Sequence, residues 1–175
     1  MSKENGAILS DCGLYRYALW RTILDIPEGG GSVVGYFGVN PSTADHTIDD
    51  QTVKKWRGFS EVIPNHIVSR FIVGNLFSFR STDVNGLKSA LDPVGRHTDA
   101  WLDQIILKCD ILIPCWGNRS KLPTSLRYRV DEVEDKLKKS GKPVLCFGKT
   151  KSGCPKHPLM LGYNTKITPY FEEKL

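Results

Sequence analysis

No apolar run in this chain approaches the ~20 residues that a membrane span needs. The opening segment, "MSKENGAILS", lacks the apolar core of a signal peptide. No two of the five cysteines, Cys12, Cys109, Cys115, Cys146 and Cys154, form a CxxC pair with zinc spacing. Internal repeats and low-complexity segments are also missing. These absences lead to the expectation of a cytoplasmic protein with no membrane partner, no metal and no other cofactor, its thiols reduced and buried. The 175 residues are expected to form one domain, 1–175, and a monomer. The net charge of +5 permits a polyanionic partner without requiring one.

What is present is an alternation of apolar runs. "SVVGYFGV" reads as a buried strand, entered from the Gly-rich "IPEGGG" and leaving through Gly38-Val39-Asn40-Pro41. "LYRYALWRTIL" alternates aromatic and apolar residues and reads as its partner strand. In "DDQTVKKWRGFSEVI", Asp49 or Asp50 is placed to cap a helix whose inner face holds Val53, Trp56, Phe59 and Ile63. A second strand centres on Phe71 to Asn75. A helix follows over "DPVGRHTDAWLDQIILKCD", then the strand "ILIPCWG", a helix over "LRYRVDEVEDKLKKSG" stopped by Gly141, and the strand "PVLCFG". Strands alternating with helices of crossover length predict a three-layer α/β/α fold around a central, mainly parallel four-stranded sheet. In such sheets ligands sit outside the carboxyl ends of the strands.

Those ends carry the polar groups. The first strand runs into Asn40 and Pro41, the second into Asn75, the third into Trp116-Gly117-Asn118-Arg119, and the fourth into a loop holding His157. A parallel sheet would bring all four to one rim. Asn40 would face the cleft, and Pro41 would stiffen the turn through its fixed φ. Each residue also has a plainer reading: a turn initiator for Asn40, loop bridging for Asn75, core packing for Trp116, an ordinary loop histidine for His157, and caps or loop bonds for Asp45, Asp49 and Asp50.

Two levels of resemblance rest on these residues. "YRYALWR", "VNPSTAD…DDQT", "GNLFSFRST", "DPVGR", "CWGN" and "GKTKSGCPKHPLML", spread from Tyr15 to Leu161, resemble the bacterial and phage proteins grouped as domain-of-unknown-function family 1643. "GVNPS", "IVGNLFSFRST" and "VLCFG…KHPLML" are similar to the first, middle and last strand motifs of the uracil-DNA glycosylase superfamily. The departures are an Asn at position 40, where the classical uracil enzymes have Asp, and "KHPLML" for the longer "HPSPLS" loop.

The second resemblance implies a uracil-DNA glycosylase-like fold and a DNA glycosylase. Its target would be a damaged, mismatched or modified base, a modified phage base among them, with antiviral defence as the role. Asn40 would hold the hydrolytic water beside Gly38 and Pro41. Asn75 would read a base edge, and His157 would donate a hydrogen bond to the departing base. Asp45 or Asp50 would supply the general base that Asn40 cannot. Phe77, Phe79, Trp56 or Trp116 would stack on the flipped base. Arg119, Lys149, Lys151 and Lys156 would line a DNA phosphate edge for single- or double-stranded DNA. Two alternatives stay open: a hydrolase of free nucleosides or nucleotides, and a non-catalytic nucleic-acid- or protein-binding module.

Overall fold

The computed structural model describes residues 5–27 and 29–172. Residues 1–4, read above for an export signal, lie outside the described residues, as do Glu28 of the Gly-rich segment and the last part of the tail, 173–175.

The apolar runs form strands β1 (Gly6–Leu9), β2 (Arg16–Thr22), β3 (Ser32–Gly38), β4 (Val68–Asn75) and β5 (Ile111–Pro114). They make one sheet in the order β1-β2-β4-β3-β5. β3 is parallel to both β4 and β5, whereas β2 is antiparallel to β4 and to β1. The helices are α1 (Gln51–Ser60), the single turn α2 (Gly86–Ser89), α3 (Thr98–Lys108) and α4 (Tyr128–Lys139).

The expected four-stranded, mainly parallel sheet is therefore corrected to a five-stranded mixed one. "LYRYALWRTIL" does supply a strand, β2, but its partner is β4, because both edges of β3 are taken by β4 and β5. The run "PVLCFG" yields only β6 (Leu145–Cys146), which pairs with β7 (Thr168–Pro169) in a separate two-stranded antiparallel sheet. Its link to β5 is a single parallel bridge between Leu112 and Val144. Pro143 has no N–H to extend that ladder, although its carbonyl accepts from the Leu112 N–H.

Period-2 alternation divides the core into two layers. Val34, Tyr36, Phe71, Val73, Ile111 and Ile113 face α1, which presents Val53, Trp56 and Phe59. Phe37, Ile72 and Leu112 face the other way, toward Leu102 and Ile105 of α3 and Val130, Val133 and Leu137 of α4. α1 is capped by Asp50, whose carboxylate accepts from the Val53 N–H at 2.9 Å. α3 begins at Thr98, later than the pattern suggested. The preceding Asp92 instead closes a turn by accepting from the Gly95 N–H, with Gly95 at φ 89°. Of the cysteines, Cys109, Cys115 and Cys146 are buried, Cys12 is exposed and Cys154 is half-buried; all five are free thiols.

β2 contains two arginines that are almost fully enclosed, Arg16 at 2 % exposure and Arg21 at 1 %. Arg21 pairs with Asp49 at 2.7 Å and donates to the carbonyls of Asp45 (2.6 Å) and Trp20 (2.9 Å). Arg16 donates to the Ala44 carbonyl at 2.6 Å. The irregular segment between β3 and α1 is thus hydrogen-bonded to the antiparallel half of the sheet. Arg21→Ala leaves Asp49 with Arg57 alone, at 3.6 Å, strands the Asp45 and Trp20 carbonyls, and should lower the unfolding free energy by about 3–5 kcal/mol. The measurement is the urea midpoint at constant m-value; a loss below ~1 kcal/mol would show that the segment holds itself.

Candidate functional site

Outside the carboxyl ends of β3, β4 and β5 lies a cavity of about 270 Å³. Its floor begins at Gly38, opposite Asn75 in the β3–β4 register. A Cβ on Gly38 would stand 3.0 Å from Asn75 Oδ1 and 3.5 Å from the Trp56 ring, so glycine here is what lets those two side chains close the floor. After β5 the chain passes Cys115 and Trp116 and turns at Gly117 with φ 79°, a left-handed conformation that favours glycine. This turn sets Trp116 and Asn118 on the cavity wall.

Asn40 lines the cavity with its amide nitrogen already committed. Nδ2 donates to the Ser81 carbonyl at 2.7 Å and to the Pro41 carbonyl at 3.2 Å. This fixes the carboxamide and leaves its oxygen as the accepting end. Pro41 is buried, and its carbonyl also accepts from the Ser81 N–H at 2.9 Å. Asp50 contributes the one carboxylate among the described lining residues, with Oδ1 engaged by the α1 cap.

His157 comes from the loop beyond β6 and lines the opposite wall. Its Nδ1 accepts from the Leu159 N–H at 3.3 Å, capping a 3-10 turn at Pro158–Met160. That bond places the ring proton on Nε2. Burial pulls the His157 pKa below its ordinary value, and the positive charge of Lys121 adds to the effect. The neutral imidazole is therefore the form present at pH 7, a donor at Nε2 and an acceptor at Nδ1.

Asn75 and Trp116 are 3 % and 4 % exposed. Asn75 Nδ2 and Trp116 Nε1 are buried without a hydrogen-bond partner among the described residues, and so is Arg16 Nε. All three residues line this cavity. Arg16 and Lys121 were not foreseen as site residues from the sequence, whereas Asn118 stood among the strand-end groups expected there. The signal for Arg16 was there: two arginines, at 16 and 21, inside a strand with no other charge. Burial lowers the Arg16 pKa to about 10, and the negative charge of Asp50 opposes that shift, so the guanidinium remains a cation at neutral pH.

The other candidates lie elsewhere. Asp45 spends its carboxylate on its own loop, accepting from the Thr47 and Ile48 N–H groups at 2.8 and 2.9 Å. Those bonds hold its pKa down to about 2. Phe77 is fully buried in the core between the sheet and α3 and α4. Phe79 packs edge-on against Tyr15, 5.8 Å away. Neither ring lines the cavity, whereas Trp56 and Trp116 both do. Arg119 forms a two-pronged pair with Asp131, both contacts 2.6 Å. Lys149 lies over the Tyr170 ring, 5.4 Å from its centre. These two residues share a shallower hollow on the α4 side. Lys151 and Lys156 are exposed. Among the described residues no three His, Cys, Asp or Glu side chains are grouped as a metal ion would need, and no helix is long and apolar enough to cross a membrane.

A family model described as "Protein of unknown function (DUF1643)" matches residues 16–159, which is most of the chain, and the chain belongs to that family. Neither a curated protein nor a solved structure matches it. The matched span runs from the buried Arg16 to the histidine loop and so includes every lining residue of the cavity.

The electrostatics of His157 yield a pH test. Because the folded pKa lies below the ordinary 6.5, the unfolded chain takes up the proton first as pH falls. The contribution of His157 to stability is therefore full above pH 6.5 and is lost as pH drops toward the folded value. An NMR titration should give a His157 midpoint below 6.5 with the neutral Nε2–H tautomer at pH 7. A midpoint at or above 6.5 would contradict the burial argument.

Proposed function

We propose that this protein hydrolyses the N-glycosidic bond of a damaged or modified base in DNA. The observation that carries the reading is one convergence. A carboxylate, a carboxamide fixed with its oxygen free to accept, and several N–H donors line a single small cavity at the strand ends. Glycosidic hydrolysis calls for those three things. The C1′–N bond breaks with its electron pair going to the base, the sugar passes through an oxocarbenium-like state, and water adds to C1′.

In this scheme the Asn40 oxygen accepts a hydrogen bond from the water and positions it below the sugar. Asn40 has no basicity to offer, so Asp50 takes the water's proton and, while ionised, stabilises the positive sugar. The Nε2–H of neutral His157 donates to the negative charge developing on the leaving base. Asn75 meets the base edge, and Trp116 or Trp56 meets its face. The likeness of "GVNPS", "IVGNLFSFRST" and "KHPLML" to the uracil-DNA glycosylase motifs supports the same assignment, with that fold relationship as part of the proposal. A modified phage base as the target, and defence as the role, are what the resemblance implies and are part of the same proposal.

A second reading, hydrolysis of free nucleosides or nucleotides, draws on one observation. Two of the four cations assigned to the phosphate edge are already engaged, Arg119 by Asp131 and Lys149 by the Tyr170 ring.

Asp50→Asn is the incisive variant, because asparagine caps helices about as well as aspartate while carrying no charge. It should leave the melting temperature nearly unchanged and slow single-turnover base release by about 10²–10⁴-fold. The assay is mass spectrometry of free base and abasic sites from genomic DNAs carrying different modifications, run beside free nucleosides. Release from nucleosides alone would select the second reading. No release from either substrate set, or wild-type rates in Asp50→Asn, would end the hydrolase reading.

Asn40→Ala and Asn40→Asp test the water site. Ala should remove turnover while leaving DNA affinity intact, since the contact matters mainly in the transition state. Asp should keep measurable turnover. Equal activity in Asn40→Ala would take Asn40 out of the mechanism.

A further inference from the structure

Among the described residues, three side-chain atoms are buried without a partner: Arg16 Nε, Asn75 Nδ2 and Trp116 Nε1. All three belong to residues that line the same cavity. Each is a donor, and Arg and Trp side chains have no accepting atom at all. A buried donor with nothing to donate to is rare and costly, so three on the lining residues of one cavity call for an acceptor that completes them. Neutral His157 adds a fourth donor on the facing wall, because its Nδ1 already accepts from Leu159. Among the lining residues the acceptors are partly used: Asp50 Oδ1 serves the α1 cap.

The charge has the same sense. Arg16 is a cation at 2 % exposure, and Lys121 stands at the rim of the same cavity. A ring edge bearing an exocyclic amine would set N–H against N–H at Asn75 and Trp116. A ring edge of carbonyl oxygens would satisfy both, and a negative charge shared over those oxygens would meet Arg16 as a charge-assisted hydrogen bond. We propose that Arg16 contacts the ligand directly and selects an oxo-substituted, anionic ring over an amino-substituted one. This rests on the reading of the cavity as the base pocket of a hydrolase. It adds a specificity residue from the antiparallel strand β2, which the parallel strands alone would not supply.

The test measures equilibrium binding of free rings to the full chain, so it needs neither DNA nor turnover. The probes are barbiturate, anionic at neutral pH with carbonyl oxygens on its edge; uracil, neutral with two carbonyls; and cytosine, in which an amine replaces one of them. Calorimetric titration should rank barbiturate tightest by about tenfold or more over uracil, with cytosine weakest. Arg16→Gln should weaken barbiturate by about tenfold or more and shift uracil by no more than about threefold, removing the charge preference. Asn75→Asp keeps the shape and exchanges a donor for an acceptor, so it should raise cytosine binding relative to barbiturate. This arm stands even where Arg16→Gln fails to fold.

Cytosine binding as tightly as barbiturate overturns the inference. So does a folded Arg16→Gln that keeps wild-type barbiturate affinity, and so does an unchanged ranking in Asn75→Asp. The two proposals fail separately. Arg16-dependent barbiturate binding with no base released from any DNA or nucleoside keeps the inference and removes the hydrolase. Release of oxo-substituted bases at wild-type rates by Arg16→Gln does the reverse.

Discussion

Two guanidinium groups buried in one strand hold the segment from which half the site is built. Between β3 and α1 the chain has no helix or strand, and its carbonyls must find donors. Arg16 serves Ala44, and Arg21 serves Asp45 and pairs with Asp49. Both arginines come from β2, so the antiparallel half of the sheet positions a loop that follows a parallel strand. Asn40 and Asp50 sit at the two ends of that loop. One is pinned by Ser81 and the other by the first turn of α1. Their relative placement therefore depends on charges that look structural and are nearly inaccessible to solvent.

The same arginines divide their work. Arg21 has partners at each of its nitrogens, including Asp49, and behaves as a structural clamp. Arg16 is clamped at one nitrogen only, and its Nε is buried without a partner, as are Asn75 Nδ2 and Trp116 Nε1 on two other residues that line the cavity. Each unpartnered buried donor costs about 1–3 kcal/mol. A domain's whole stability is roughly 5–15 kcal/mol. A fold that keeps three such donors on the lining residues of one cavity holds a sizeable fraction of its stability in reserve for a ligand or ordered water. Chance scatter of packing defects would not collect them at the one place where the strand ends converge.

Much of this was legible in the sequence, and the limits have physical causes. The runs that became β3, β4 and β5 were clear because a strand covered on both faces reads as a nearly continuous apolar run. The strand-end positions Asn40, Asn75 and Trp116 followed from that topology; His157 was placed by a fourth parallel strand that the sheet lacks, yet all four residues line one cavity. β6 was overread: "PVLCFG" is as apolar as the others, but strand length depends on a partner, and Pro143 and the returning tail limit it to two residues. Arg16 was missed because a charge pattern does not tell a buried cation from a solvated one, and Lys121 because an exposed lysine beside a cavity reads like any other surface lysine. The phosphate edge at Arg119 and Lys149 was drawn from charge and position alone, and neither reveals that Asp131 and the Tyr170 ring are already their partners.

The two tryptophans of the cavity show how partner accounting separates residues that composition cannot. Trp56 stacks on Tyr36 with ring centres 5.7 Å apart, and its Nε1 donates to Cys115 Sγ at 3.3 Å. Tyr36 in turn bonds Ser60, whose hydroxyl donates back to the Trp56 carbonyl. Every polar atom of that cluster is occupied, so Trp56 is the inner wall, held rigid by the α1 core. Trp116 meets Tyr170 edge-on at 6.4 Å and keeps an indole N–H with no partner. A rigid, satisfied wall suits the face of a ring, which asks only for contact area. A free N–H suits its edge, where the acceptors are. In the proposed scheme that division would give Trp56 the stacking role among the four aromatics first considered, and Trp116 would join Asn75 and Arg16 at the edge.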